Sequence, residues 1–149
     1  MDFEQELSQG IRCELPKDLA LAAERLAHVL PLNLTLNLIG PMGAGKTFLA
    51  SHMAKALGVQ ETLKSPTYDI VSSYLSQDRN IVHLDAFRIE STNDLELLGL
   101  EELLAPPWLL LVEWPDRIPE MNFGESWNLS IEVPREGGRL LSLNRCIAL

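Results

Sequence analysis

Eight residues, Gly40-Pro41-Met42-Gly43-Ala44-Gly45-Lys46-Thr47, restrict what this chain can fold into more than any other stretch. They fit G-x-x-x-x-G-K-[ST], a loop whose glycines remove the Cβ atoms that would keep a backbone from wrapping an anion. Successive N–H groups can then face phosphate oxygens, and the helix that follows adds its positive end. Such a loop needs a strand before it and a helix after it. Leu32, Leu34, Leu36 and Leu38 alternate with Asn33, Thr35 and Asn37, which predicts the strand. Lys46 to Leu57 reads as the helix, with Leu49, Met53 and Leu57 on one face and Gly58 ending it. The Asn/Thr face is unexpected for a central parallel strand, which is normally apolar on both faces. Side-chain hydrogen bonds and partial exposure both remain open as its explanation.

The 149-residue sequence supplies one domain's worth of core, with no linker or repeat to divide it, so residues 1–149 are expected to form a single domain. No apolar run reaches the roughly 20 residues needed to span a bilayer. Met1 to Gly10 is acidic and polar, unlike a secretory leader, and a cytoplasmic protein without membrane contact is expected. Cys13 and Cys146 lie near opposite ends without C-x-x-C spacing or a histidine cluster, so they read as free thiols rather than zinc ligands. The formal charge of −9 opposes direct binding to a polyanion, so any RNA would be held through another protein.

In chain order, Pro16 and Asp18 open a helix with an apolar stripe of Leu19, Ala22, Ala23, Leu26 and Leu30, stopped by Pro31. Its role reads as structural, with His28 beside the stripe. Ser65-Pro66-Thr67 begins an extended stretch to Leu75, and Gln77 to Asn80 turns it into a second strand from Ile81 to Phe87. The pair is an antiparallel hairpin in which Ile81, His83, Asp85 and Phe87 share one face. Thr67 sits on a loop that Pro66 holds out of helical geometry; it is an ordinary turn hydroxyl or a switch that contacts the γ-phosphate or its metal.

Ser91 to Asn93 cap a helical stretch carrying Leu95, Leu98, Leu103 and Leu104, broken at Gly99 and ended by Pro106-Pro107. Trp108 to Val112 then reads as a buried strand ending in Glu113, where open α/β sheets place their ligand chemistry. Leu129, Ile131 and Val133, a turn at Arg135 to Gly138, and Leu141 and Leu143 read as an edge hairpin, with Arg139 and Arg145 as surface charges. The fold class is therefore α/β, a P-loop NTPase-like mixed sheet flanked by helices and carrying antiparallel hairpins.

Four motifs, the phosphate loop, Ser65-Pro66-Thr67-Tyr68, His83-Leu84-Asp85-Ala86-Phe87-Arg88 and Glu113-Trp114-Pro115, occur in this order at compact spacing. Together they resemble the TsaE family, small bacterial ATPases of tRNA threonylcarbamoyladenosine biosynthesis, from about Leu15 to Arg139. The family loop commonly reads Gly-Asp-Leu-Gly where this chain has Pro41 and Met42. Its strand motif usually carries Asp-Leu-Tyr-Arg, where this chain has Ala86 and Phe87. The resemblance implies a cytoplasmic ATPase that works with TsaB and TsaD as an accessory motor and reaches tRNA only through them.

The expected chemistry is Mg²⁺-dependent ATP hydrolysis. Nucleotide contacts are assigned to Gly40, Pro41, Met42, Gly43, Ala44, Gly45, Lys46, Thr47 and Phe48, with Thr67 and Arg139 added from later segments. Lys46 and the Gly43 to Lys46 amides hold phosphate charge. Thr47 and Glu113 hold Mg²⁺, and Asp85 orients or deprotonates the attacking water; Asp85 and Glu113 can exchange those two roles. Lys46, Asp85 and Glu113 are thus the expected catalytic residues, and Thr47, Glu113 and Asp85 the expected metal-facing ones. His83 and Arg88 are expected to orient Asp85 or meet a partner, and Trp114 to pack beside the site. Two other readings compete: a small-molecule kinase, for which no lid stretch is evident between Phe87 and Trp108, and a nucleotide-gated binding module with negligible turnover. A GTPase is disfavoured because no [NT]-K-x-D motif is present.

Overall fold

The computed structural model describes residues 2–61, 63, 70–90, 94, 98–117 and 123–146. The Ser65-Pro66-Thr67-Tyr68 motif, Ser91 to Asn93 and Leu95 lie outside the described residues. Among the described residues seven strands, β1 (Ile11–Cys13), β2 (Leu34–Ile39), β3 (Val71–Leu75), β4 (Asn80–Asp85), β5 (Trp108–Glu113), β6 (Glu125–Glu132) and β7 (Arg139–Cys146), form one sheet. Their order is β1-β7-β6-β2-β5-β4-β3.

The strands β4, β5, β2 and β6 run parallel, while β3, β7 and β1 pair antiparallel with their neighbours. This mixture decides where chemistry can gather. Parallel neighbours end on the same side, so the residues that follow β2, β4 and β5 all emerge at one rim. In register, Asp85 lies opposite Glu113 and Glu113 opposite Leu38, two residues before the loop begins.

The leucines at 34, 36 and 38 are fully buried on the face that also carries Ile81, Leu109, Leu111 and Leu129. Three helices supply the rest of that core: α1 (Phe3–Gln9), α2 (Pro16–Val29) and α3 (Lys46–Ala56). α2 begins with proline at its first position, where a missing N–H costs nothing, and buries Leu19, Ala22, Ala23, Leu26 and Ala27. On the opposite face Val82, Leu84, Leu110 and Val112 pack with Ile89, Leu100 and Leu104. The short helix α4 (Leu100–Leu103) starts at Gly99, whose φ of 65° is easy only for glycine.

Polar side chains on β2 find partners across the strand. The Asn37 Nδ2 donates to Ser126 Oγ at 3.1 Å and to Asn128 Oδ1 at 2.9 Å, and Thr35 Oγ1 donates to the Phe123 carbonyl at 2.8 Å. Asn37, Ser126 and Asn128 are half-buried, so both hydrogen bonding and partial exposure account for this face. Asn33 lies outside the strand. Its φ is 57°, and its Oδ1 accepts from the Trp108 N–H, which moves the strand start from Leu32 to Leu34.

The C-terminal hairpin is not at the sheet edge as its alternation suggested. β6 pairs in parallel with β2, and β7 is covered by β1. Period-two alternation reports a strand's two faces but carries no information about its number of neighbours. The three-residue β1 was too short to give a periodic signal. Arg145 is likewise more than a loose surface charge: it forms an ion pair with Glu4 and lies over the Trp127 ring, fastening α1 to β7. Cys13 is buried and free, and burial followed by the nearby Asp18 pushes its thiol above the ordinary range.

Candidate functional site

Between β2 and α3 the backbone turns through Gly40 to Gly45. A Cβ on Gly40 would sit 2.7 Å from the Ile131 carbonyl oxygen, so only glycine lets the loop leave the sheet beside β6. Gly45 caps α3 with φ 110°, a left-handed conformation, and among the described residues no side chain caps the helix in its place. The first-turn amides of α3 therefore open toward the rim, where an anion would complete them.

Lys46 is buried and its Nζ donates to the Gly40 carbonyl at 2.8 Å. The same Nζ stands 3.8 Å from the centroid of the Trp114 ring. Burial lowers the Lys46 pKa from its usual 10.5, an effect opposed by the nearby charges of Glu113 and Asp85. Trp114, expected merely to pack, thus faces the loop lysine. Its φ of 59° marks a sharp turn directly after β5, and its other side meets Phe87 at 5.3 Å between ring centroids.

The two acids end adjacent strands but have unlike surroundings. Glu113 is 6 % exposed, and its Oε2 accepts from Thr47 Oγ1 at 3.3 Å. His83 Nε2 lies 2.7 Å from that same oxygen. Asp85 is half-buried, and its Oδ1 accepts from the Phe87 N–H at 3.1 Å, capping the single turn of 3₁₀ helix at Ala86–Arg88. A cleft of about 410 Å³ is lined by Gly43, Lys46, Thr47, Asp85, Glu113 and Trp114, so loop and acids share one space.

A second recess, of about 330 Å³, opens on the other side of Phe48 and is bounded by Leu15, Pro16, Leu19, Ala44 and Arg139. Arg139 donates through Nε to the Ala44 carbonyl at 2.7 Å and through Nη2 to that of Gly43 at 3.3 Å. A guanidinium on these two carbonyls braces the loop from β7, and the Ala44 N–H is taken up within the loop by the Pro41 carbonyl at 3.1 Å.

Of the expected site residues, the cleft and recess gather Met42, Gly43, Ala44, Gly45, Lys46, Thr47, Phe48, Asp85, Glu113 and Arg139. Gly40 and Pro41 line a neighbouring hollow with Lys46 and Trp114, and Thr67 lies outside the described residues. Met42 projects into solvent at 80 % exposure. His83 turns to Glu113 rather than to Asp85, and Arg88 stands exposed on the 3₁₀ turn. Sequence reasoning missed the recess, because the start of α2 was weighed only as core. The exposed leucine at position 15, directly before a helix-opening proline, was the available signal.

For Mg²⁺ the donor set fits. Thr47 and Glu113 offer a hydroxyl and a carboxylate oxygen 3.3 Å apart beside the loop, both hard ligands. Among the described residues no group of three or more His, Cys, Asp or Glu side chains could hold a metal by itself. Mg²⁺ takes only one or two protein carboxylates and keeps several waters, so Thr47 and Glu113 would hold it together with substrate phosphates.

Fold and site together define a phosphate-loop α/β protein with acidic residues set across from the loop. Residues 13–141 match the family model described as threonylcarbamoyl adenosine biosynthesis protein TsaE, and the chain belongs to the TsaE family. The tRNA threonylcarbamoyladenosine biosynthesis protein TsaE of Synechocystis is 35% identical over 102 residues, 66% of this chain and 64% of that protein. Its counterpart from Haemophilus influenzae is 35% identical over 78 residues, covering 52% and 49%. The chain thus spans less than two thirds of the one and about half of the other. The Rickettsia prowazekii protein of the same name is 32% identical over 124 residues, covering 83% and 85%. The crystal structure of Bacillus subtilis YdiB superposes with a TM-score of 0.73 at 24% identity, over 93% of this chain and 85% of that one, which shows the shared fold. Among the described residues no helix is long and apolar enough to cross a membrane.

Proposed function

We propose that this protein is a Mg²⁺-dependent ATPase that serves tRNA threonylcarbamoyladenosine formation in the cytoplasm as an accessory motor of TsaB and TsaD. The single observation that carries this reading is the meeting of Thr47 and Glu113 at 3.3 Å beside the glycine loop, with Asp85 across the same cleft. The relatives' names supply the pathway, and the net charge of −9 supports reaching tRNA only through partners.

In this reading the amides from Gly43 to Lys46 and the Lys46 ammonium bind the β- and γ-phosphates. Thr47 and Glu113 would hold Mg²⁺, which supplies charge neutralisation on the phosphate oxygens when bound. Asp85, nearer solvent and not engaged by Thr47, accepts a proton from the attacking water and orients it. The adenine lies in the apolar recess against Phe48 and the start of α2, and Arg139 braces the loop through the Gly43 and Ala44 carbonyls. Thr67 would report the γ-phosphate to a partner surface.

Phosphate release from ATP by the purified chain, measured with and without TsaB and TsaD, tests the reading. Release that rises several-fold when both are present, and is lost on Lys46→Ala, is expected. Transfer of phosphate to an added metabolite would instead establish a kinase. Partner function sustained by stoichiometric ATP without release would establish a nucleotide-gated module.

A further inference from the structure

His83 is a fully buried imidazole in the middle of a strand whose other central residues are Ile81, Val82 and Leu84. Across the ladder it faces Leu111 of β5 and Ser72 of β3, where an aliphatic side chain would fill the space without polar atoms. Its Nε2 contacts Glu113 Oε2 at 2.7 Å, yet its Nδ1 is buried with no hydrogen-bond partner among the described residues. A polar ring kept in the core with one nitrogen unpaired points to a task for the other nitrogen.

That task is visible at the end of β5. Glu113 is its last residue, and the chain turns away at once through Trp114 with φ 59°. Three side-chain torsions separate the Glu113 carboxylate from a backbone whose ladder stops there. Thr47 Oγ1, at 3.3 Å, is a long contact and belongs to the phosphate loop itself. The contact to His83 is shorter, comes from a rigid ring, and originates on a neighbouring strand whose register with β5 is fixed. Because a carboxylate only accepts hydrogen bonds, Nε2 carries the proton that fills the contact.

We propose that His83 is a positioning residue that holds the Glu113 carboxylate toward Thr47, so that the pair presents its oxygens to Mg²⁺ in one geometry. This rests on the reading of Glu113 as the metal-facing acid. His83 does not itself touch nucleotide or metal. An outer partner that orients a ligand typically changes metal affinity by about 10-fold to 100-fold when removed.

The test is the thermodynamic linkage between Mg²⁺ and ADP: the ratio of ADP affinities with and without Mg²⁺, titrated on the full chain. His83→Leu keeps the core apolar and removes the N–H. It is expected to reduce the linkage about 10-fold while leaving metal-free ADP affinity within about twofold. His83→Gln, whose amide can place an N–H near the position of Nε2, is expected to restore most of it. In a Glu113→Gln background, His83→Leu should have no further effect on the linkage. A folded His83→Leu protein with wild-type linkage would overturn the proposal.

If the leucine variant does not fold, the wild-type ring decides. Its Nε2–H resonance in ¹⁵N-edited spectra should be resolved and should move on Glu113→Gln; a resonance that ignores that change overturns the assignment. Absence of linkage in the wild type, or its survival in Glu113→Gln, would overturn the reading of Glu113 and the role of His83 with it. Linkage lost in Glu113→Gln but kept in His83→Leu would overturn the role of His83 alone.

Discussion

Glu113 and Asp85 end neighbouring parallel strands in direct register, yet the protein treats them differently. The Glu113 carboxylate is buried and shared between Thr47 and His83. Asp85 is half-buried and, among the described residues, is bonded to a backbone N–H two residues on, in the turn that it caps. A carboxylate fixed from two sides suits a task that needs one geometry, such as presenting an oxygen to a small octahedral ion. One held at the base of a short turn and open to the cleft suits proton exchange with water. The sequence left the two roles interchangeable, and the unequal surroundings favour one assignment.

The largest effect should come from neither acid. Lys46→Ala removes the cation beside the loop and is expected to lower ATP turnover by about 10²–10³-fold, read by single-turnover hydrolysis. Unchanged turnover would remove the cleft from the chemistry altogether. Next, Asp85→Asn is expected to slow hydrolysis about 10²-fold with ATP affinity within about threefold, so a loss confined to affinity would reverse the contrast drawn here.

Smaller effects address what surrounds the acids. Asn37→Ala removes the hydrogen bonds to Ser126 and Asn128 on a half-buried face and should cost about 1 kcal/mol, seen as a melting temperature lower by about 3 °C with turnover unchanged. Trp114→Leu, which removes the half-buried ring beside Lys46, should change ATP affinity by about threefold, the lower end of the cation–π range.

Lys46 also makes a signed prediction in pH. Its folded pKa is held below 10.5 chiefly by burial, so the unfolded chain binds this proton more tightly. Stability therefore rises with pH across the window between the lowered folded value and 10.5. Measured by urea unfolding, the stability difference between wild type and Lys46→Met should shift toward the wild type as pH climbs toward 10.5. A difference independent of pH would mean that Lys46 is not strained by its burial.

Much of this was legible in the residues because several local signals agreed. The leucine alternation before Gly40, the apolar spacing after Lys46, and the buried run ending in Glu113 each fixed an element and its direction, and parallel pairing then brought their ends together. What stayed hidden depends on neighbours rather than on local pattern. Alternation in β6 and β7 could not reveal that β1 covers their edge. A lone histidine at position 83 does not disclose which of two nearby acids it meets, since that is set by the offset between β4 and β5. Pro16 and Asp18 read as a helix start, and only the packing of α2 against α3 makes Leu15 and Pro16 a wall of the recess. The polar side chains of β2 looked anomalous until Ser126 and Asn128 were seen beside them.

The division of labour between the acids is tested most directly by the Mg²⁺ dependence of single-turnover ATP hydrolysis in Glu113→Gln and Asp85→Asn, measured side by side. The expected result is a Mg²⁺ midpoint raised about 10-fold or more in Glu113→Gln, with the wild-type midpoint and a reduced maximal rate in Asp85→Asn. Equal midpoints in wild type and Glu113→Gln, or a raised midpoint in Asp85→Asn alone, would contradict it.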